Sequence, residues 1–174
     1  WRDWSSDLCS SDLHPLHVGV VGSNGGVAAT RAVVDAADLV VFVGCRAGSV
    51  TTERWRHPRP GTRIVHVDVE PGVIGANFQT EAGVVGDARL ALSALAASVA
   101  RRDPAAAIAM VARARAEKEA AYRPLALSDD RPIKPERLVA ELAAVLDDDA
   151  VIVADPGTPC PYFSAFYPKR RAGR

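Results

Sequence analysis

Apolar and polar positions along the chain fall into short blocks whose period switches between helix and strand. Residues 27–37 mix alanine and valine with Arg31 and Asp35 at helical spacing, and Gly25 and Gly26 stand just before them, so a loop running into a helix is expected. LVVFVG (39–44) is a continuous apolar run ended by glycine, the pattern of a parallel strand covered on both faces. A basic, polar loop follows over 45–61, then RIVHVDV (63–69), a second β-branched strand closed by Pro71 and Gly72. A third, shorter strand is expected over 81–86. Asp87 then caps a helix over 88–100, its carboxylate accepting from the free amides of the first turn.

Pro104 opens another helix reaching about Tyr122, rich in Arg113, Arg115, Glu117, Lys118 and Glu119, which reads as a solvated connector. Residues 123–135 contain Pro124, Pro132 and Pro135 and are expected to be a linker. Leucine and valine recur at helical spacing over 136–146. AVIVAD (150–155) reads as a buried strand that ends in the turn Pro156, Gly157, Thr158, Pro159. The fold class is therefore α/β: a Rossmann-like parallel sheet with flanking helices, followed by the helix-strand start of a second α/β domain. The expected division is a central α/β domain at 14–101, a helical connector and linker at 102–133, and a truncated second domain at 134–174. A lone strand at 151–155 would leave ladder groups unpaired, so residues after about 133 are expected to pack poorly or to borrow the first domain's surface. Residues 1–13 have no period and repeat SSDL; they resemble the translation of a sequencing-adapter oligonucleotide and are set aside as non-native.

Composition narrows the function classes. Twenty-one basic residues balance 21 acidic ones, leaving no net field to draw in nucleic acid or an anionic membrane. No apolar run is long enough to span a bilayer, so a soluble cytoplasmic protein is expected. Cys9, Cys45 and Cys160 have no paired spacing and suggest neither disulfides nor zinc.

Gly22, Asn24 and Gly25 belong to a glycine-rich loop before a helix, where bare amides and the helix's positive end hold phosphate; the alternative is a turn that binds nothing. Arg46 follows one strand and Asp68 ends the next, positions suited to a phosphate and a ribose hydroxyl respectively, or to a salt bridge with each other. His66 reads as a buried, hydrogen-bonded histidine. Asp87 reads first as a helix cap and second as a nucleotide contact, and Cys160 as a small buried residue.

Four segments in order carry a family resemblance: 14–46, with its histidine-proline start, glycine-rich loop and strand ending in glycine-x-arginine; 64–78, with histidine-x-aspartate then isoleucine-glycine-x-asparagine; VVGDARLAL (84–92); and 133–167. Together they resemble the acetolactate synthases and their thiamine diphosphate-dependent relatives. The resemblance implies three α/β domains, with thiamine diphosphate and Mg2+ held between the first domain of one subunit and the third of another in a homo-oligomer acting on a 2-oxo acid. It implies that the glycine loop lies near the FAD of true acetolactate synthases, and that Gly157 and Thr158 fall where the family places a segment against the thiamine diphosphate phosphates. It also implies that the glutamate which ionises the cofactor and the magnesium motif lie outside this chain, so the chain alone is expected to be inactive. Two departures stand out. Ala47, Gly48 and Ser49 replace the family's phenylalanine-aspartate-aspartate, and Thr158-Pro159 replaces its glutamine-histidine. The rival readings are a freestanding Rossmann-like FAD- or NAD-binding domain without thiamine chemistry, and a purely structural domain.

Overall fold

The computed structural model describes residues 14–155 and 157–168. A first helix, α1 (Ala28–Asp35), leads into three parallel strands, β1 (Leu39–Val43), β2 (Arg63–Asp68) and β3 (Ala82–Val85), which lie in the order β1-β2-β3. Val41 stands beside Val65, and Val67 beside Val84. Neighbours on both sides explain why β2 buries Ile64, His66, Val67 and Asp68, an apolar-rich run without alternation. The outer strands are more open: Leu39, Val41, Val84 and Val85 all remain exposed among the described residues.

Side-chain hydrogen bonds fix how the chain enters and leaves these elements. Thr30, buried in the first turn of α1, donates its hydroxyl to the Val20 carbonyl (2.7 Å) and accepts the Val27 amide (3.2 Å). At the other end of α1, Asp35 takes His57 Nδ1 at 2.7 Å and Arg59 Nε at 3.1 Å, tying that helix to the loop before β2. Arg63 and Glu81 form a two-point exposed pair at 2.7 and 2.9 Å between the starts of β2 and β3, and the hydrogen bond from Arg63 lowers the Glu81 pKa.

Helix α2 (Ala88–Ser98) begins where Asp87 predicts, its carboxylate accepting the Leu90 amide at 3.0 Å. Asp87→Ala is expected to cost about 1 kcal/mol, a fall of about 2–4 °C in melting temperature. An unchanged thermal melt would remove the cap from the account.

The second half differs from expectation in two places. Helix α3 (Ala105–Ala126) is no solvated connector: Val111, Ala114 and Ala126 are buried, and it packs on α1 and on α4 (Pro135–Val145). Small alanines permit close approach without forming a visible apolar stripe. It also runs four residues past Tyr122, through Pro124, which has no amide to give the preceding turn; the Leu127 amide to the Arg123 carbonyl (3.1 Å) closes its end. The expected linker therefore starts later than residue 123.

Residues 150–155, expected to be a strand, join no ladder among the described residues, and Val153 is 92% exposed. A parallel strand exists only through its neighbours, and none is present there. The chain resumes order at α5 (Pro159–Phe166), which packs on α4 and stacks Phe166 on Tyr122, ring centroids 4.3 Å apart and planes 9° apart. The Tyr122 hydroxyl donates to the Glu136 carbonyl (3.2 Å); burial, aided by Glu119 and Glu136, raises its pKa and keeps it a donor. The segment after 133 thus rests on α3, which the expected division puts in the connector.

Candidate functional site

The carboxyl ends of the three strands form one edge, the usual ligand side of an open parallel sheet. The Gly44 amide donates to the Val67 carbonyl (2.8 Å) and the Gly86 amide to the Asp68 carbonyl (2.9 Å), carrying the ladder just past the strands. Arg46, Asp68 and Asp87 all lie along this edge. Asp68 is 8% exposed, and its carboxylate accepts the Glu70 amide at 2.9 Å. Arg46 is exposed and makes no ion pair with Asp68 among the described residues, so the salt-bridge alternative does not hold. His66 is buried as read, its Nε2 donating to the Cys45 carbonyl (2.9 Å) beside the Phe42 ring.

Asn77 escaped the sequence reading. Its side-chain amide donates to the Arg46 carbonyl at 2.9 Å, holding the loop after β1 against the segment after β2. The signal was there, as the last residue of the isoleucine-glycine-x-asparagine motif, but a motif carries no direction for a side chain. Equally unread was the loop at 47–55. Ala47, Glu53, Arg54 and Trp55 all have left-handed backbone (φ +47°, +49°, +58° and +60°), and no glycine marks those places. Thr52 bonds the Gly48 carbonyl and the Trp55 amide from within, and Arg31 donates to both the Val21 carbonyl (3.0 Å) and Glu53 (2.8 Å).

The glycine-rich loop meets this second loop directly, through the Ser23 amide on the Val50 carbonyl at 2.7 Å. Two of its amides are taken by the chain itself, Ser23 as stated and Gly26 on the Gly22 carbonyl (2.8 Å), and the Val27 amide after it bonds Thr30. A β-carbon at Gly22 would overlap the Val50 carbonyl oxygen, and one at Gly26 the Val21 carbonyl oxygen. At Gly25, where φ is +112°, it would stand 2.8 Å from the Pro161 carbonyl oxygen and 2.9 Å from the Ala165 nitrogen. These glycines therefore admit neighbouring backbone, while Ser23, exposed, and Asn24, half-exposed, stand open at the loop tip.

At the other candidate turn, the Gly157 amide donates to the Asp155 carboxylate (2.9 Å) and the Cys160 amide to the Gly157 carbonyl (3.3 Å). Pro159 and Pro161 have no amide hydrogen. Thr158 is exposed, and neither its amide nor its hydroxyl has a partner among the described residues, so it alone has donors to offer a phosphate. Cys160 is half-buried with its sulfur 3.7 Å from the Ser164 hydroxyl, in keeping with a packing role. Gly157 and Thr158 lie just ahead of α5, whose backbone covers Gly25; Arg46, Asp68 and Asp87 form a separate group at the sheet edge.

A cavity of about 570 Å3 opens beside the starts of β2 and β3, lined in part by Trp55, Arg59, Arg63 and Phe78. Its guanidiniums are paired with Asp35 and Glu81. Among the described residues no group of three histidine, cysteine or acidic side chains is placed to hold a metal, and no helix is long and apolar enough to cross a membrane.

Residues 7–95 match the family model described as thiamine pyrophosphate enzyme, central domain, a match that reaches back into the stretch set aside on sequence grounds. Over 155 residues the chain is 32% identical to a probable acetolactate synthase large subunit of Methanocaldococcus jannaschii, covering 86% of this chain and 26% of that protein. A probable acetolactate synthase large subunit of Methanococcus aeolicus is 29% identical over 163 residues, 86% of this chain and 27% of that protein. The glyoxylate carboligase of Escherichia coli O157:H7 is 29% identical over 153 residues, with 86% and 26% covered. The chain thus spans about a quarter of the length of the curated relatives it matches.

Proposed function

Given that the chain belongs to the thiamine pyrophosphate enzymes through their central domain, we propose that it is part of an acetolactate synthase-like enzyme of the cytoplasm that forms or cleaves the bond beside a 2-oxo acid carbonyl. The observation that carries this reading is a match to such enzymes that runs in order through the parallel sheet and on past it, over 155 residues. A freestanding nucleotide-binding domain would need nothing beyond the sheet. We assign 14–101 to the central domain, 102–133 to the connector and 134–174 to the start of the diphosphate-binding domain.

Thiamine diphosphate supplies the electron sink for carbon–carbon chemistry when bound. In this chain Thr158 is the residue that would hold it, offering a phosphate oxygen an amide hydrogen and a hydroxyl. Asp155 fixes the turn by taking the Gly157 amide, which leaves Thr158 facing outward. The ligands of Mg2+, and the carboxylate that ionises the cofactor, would come from other parts of a longer protein assembled as a homo-oligomer. A flavin nucleotide, if the enzyme retains one, fits the sheet edge at Arg46, Asp68 and Asp87 and not the faces of Gly22 and Gly25.

The test is made on the full-length protein. Release of CO2 from a 2-oxo acid, or its condensation with a second one, should require both thiamine diphosphate and Mg2+, and the 174-residue chain under the same conditions should turn over nothing. Failure of the full-length protein to bind thiamine diphosphate would refute the reading. Thr158→Val, which removes only the hydroxyl donor, should weaken the cofactor's affinity about tenfold, the loss of one hydrogen bond to a charged group. Thr158→Ser should restore it; equal affinities in all three proteins would exclude the Thr158 hydroxyl from the site.

A further inference from the structure

Helix α5 follows directly on Thr158 and lies on the glycine-rich loop, at the one glycine of that loop whose open face meets a different element. The Pro161 carbonyl and the Ala165 amide occupy the space that a side chain at residue 25 would fill, and the Ser164 β-carbon adds a third contact at 3.2 Å. Ala165 is buried, and the far end of α5 is seated by Phe166 stacked on Tyr122, with the Lys118 ammonium 5.6 Å from the Phe166 ring centre. The helix is thus fixed at two points, backbone on Gly25 and ring on Tyr122. The turn ahead of it has little else to hold it, because residues 150–155 join no strand and Val153 is almost wholly exposed.

We propose that Gly25 is a positioning residue for the thiamine diphosphate site: by admitting the backbone of α5, it sets where the Gly157-Thr158 turn presents its donors. The glycine-rich loop then serves the diphosphate at one remove, through α5, and not by wrapping a phosphate itself. This inference rests on the thiamine reading proposed above.

The variant Gly25→Ala displaces α5, and Phe166→Ala loosens the same helix from its other end without touching the loop. The control is Gly48→Ala, since a β-carbon there meets nothing within 4 Å. In the 174-residue chain, amide hydrogen exchange over 159–166 should quicken about tenfold in the first two variants and not in the control, while α1 and the sheet keep their protection. In the full-length protein, the dissociation constant for thiamine diphosphate should rise about tenfold in both, with kcat at saturating cofactor within about twofold of the parent. Phe166→Ala keeps the test open if Gly25→Ala does not fold. Unchanged exchange in α5, or faster exchange with unchanged cofactor affinity, overturns the proposal. A parent protein that binds no thiamine diphosphate while α5 still loosens in the short chain refutes the thiamine reading itself.

Discussion

Gly22→Ala is expected to destabilise the chain by on the order of 3 kcal/mol, lowering its melting temperature by roughly 6–12 °C. The β-carbon would be driven into the carbonyl oxygen of Val50 and against that of Thr51, and both atoms are backbone, so no rotamer change makes room. The contact can be relieved only by parting the two loops, which breaks the 2.7 Å bond from the Ser23 amide to the Val50 carbonyl. Behind that bond stands the left-handed run Glu53, Arg54 and Trp55, held by Thr52 and by the Arg31 pair to Glu53, so little slack remains on that side. Thermal denaturation of the variant beside Gly48→Ala measures the effect. If the two melt together, Gly22 is not closely covered and the packing of the two loops has been misread.

The second large effect belongs to the middle strand. Ile64→Ala should cost about 2–4 kcal/mol, because Ile64 is only 2% exposed and lies between two paired strands that resist collapse into the vacated space. Chemical denaturation should show a lower midpoint at unchanged slope. Leu39→Ala, at an exposed position on the outer strand, should cost less than half as much. Equal losses at the two positions would mean that β2 is not the centre of the core.

Much of this architecture was readable beforehand because the relevant forces are local. The runs at Leu39 and Ile64 announce strands through β-branched density, Asp87 announces α2 through its carboxylate, and Pro135 sits at the first turn of α4 where its missing amide does no harm. What could not be read was non-local. AVIVAD has the composition of a buried strand, yet a ladder is a property of two segments, and composition says nothing of whether a second is at hand. The alanine-rich α3 reads as solvated because burial through small residues leaves no period.

The site divides in the same way. Residue types suggested Arg46, Asp68 and Asp87 at the strand ends; the structure adds that Asp68 takes the Glu70 amide and Asp87 the Leu90 amide. Glycines are harder to interpret, since the absence of a side chain suits a phosphate and a passing backbone equally well. Only contacts separate those uses, and at Gly22, Gly25 and Gly26 they are with the chain's own atoms. Asn77 and the left-handed turn at 53–55 stayed invisible for a related reason: neither is prescribed by a residue type.

The openness of the two outer strands bears on handling. Val84 and Val85 lie on β3, every residue of which is exposed, and Leu39 and Val41 lie on β1. Uncapped rims of this kind invite sideways pairing between molecules. A concentrated stock should therefore cloud or sediment well below the unfolding temperature, and do so faster as protein concentration rises, whereas a dilute one stays clear.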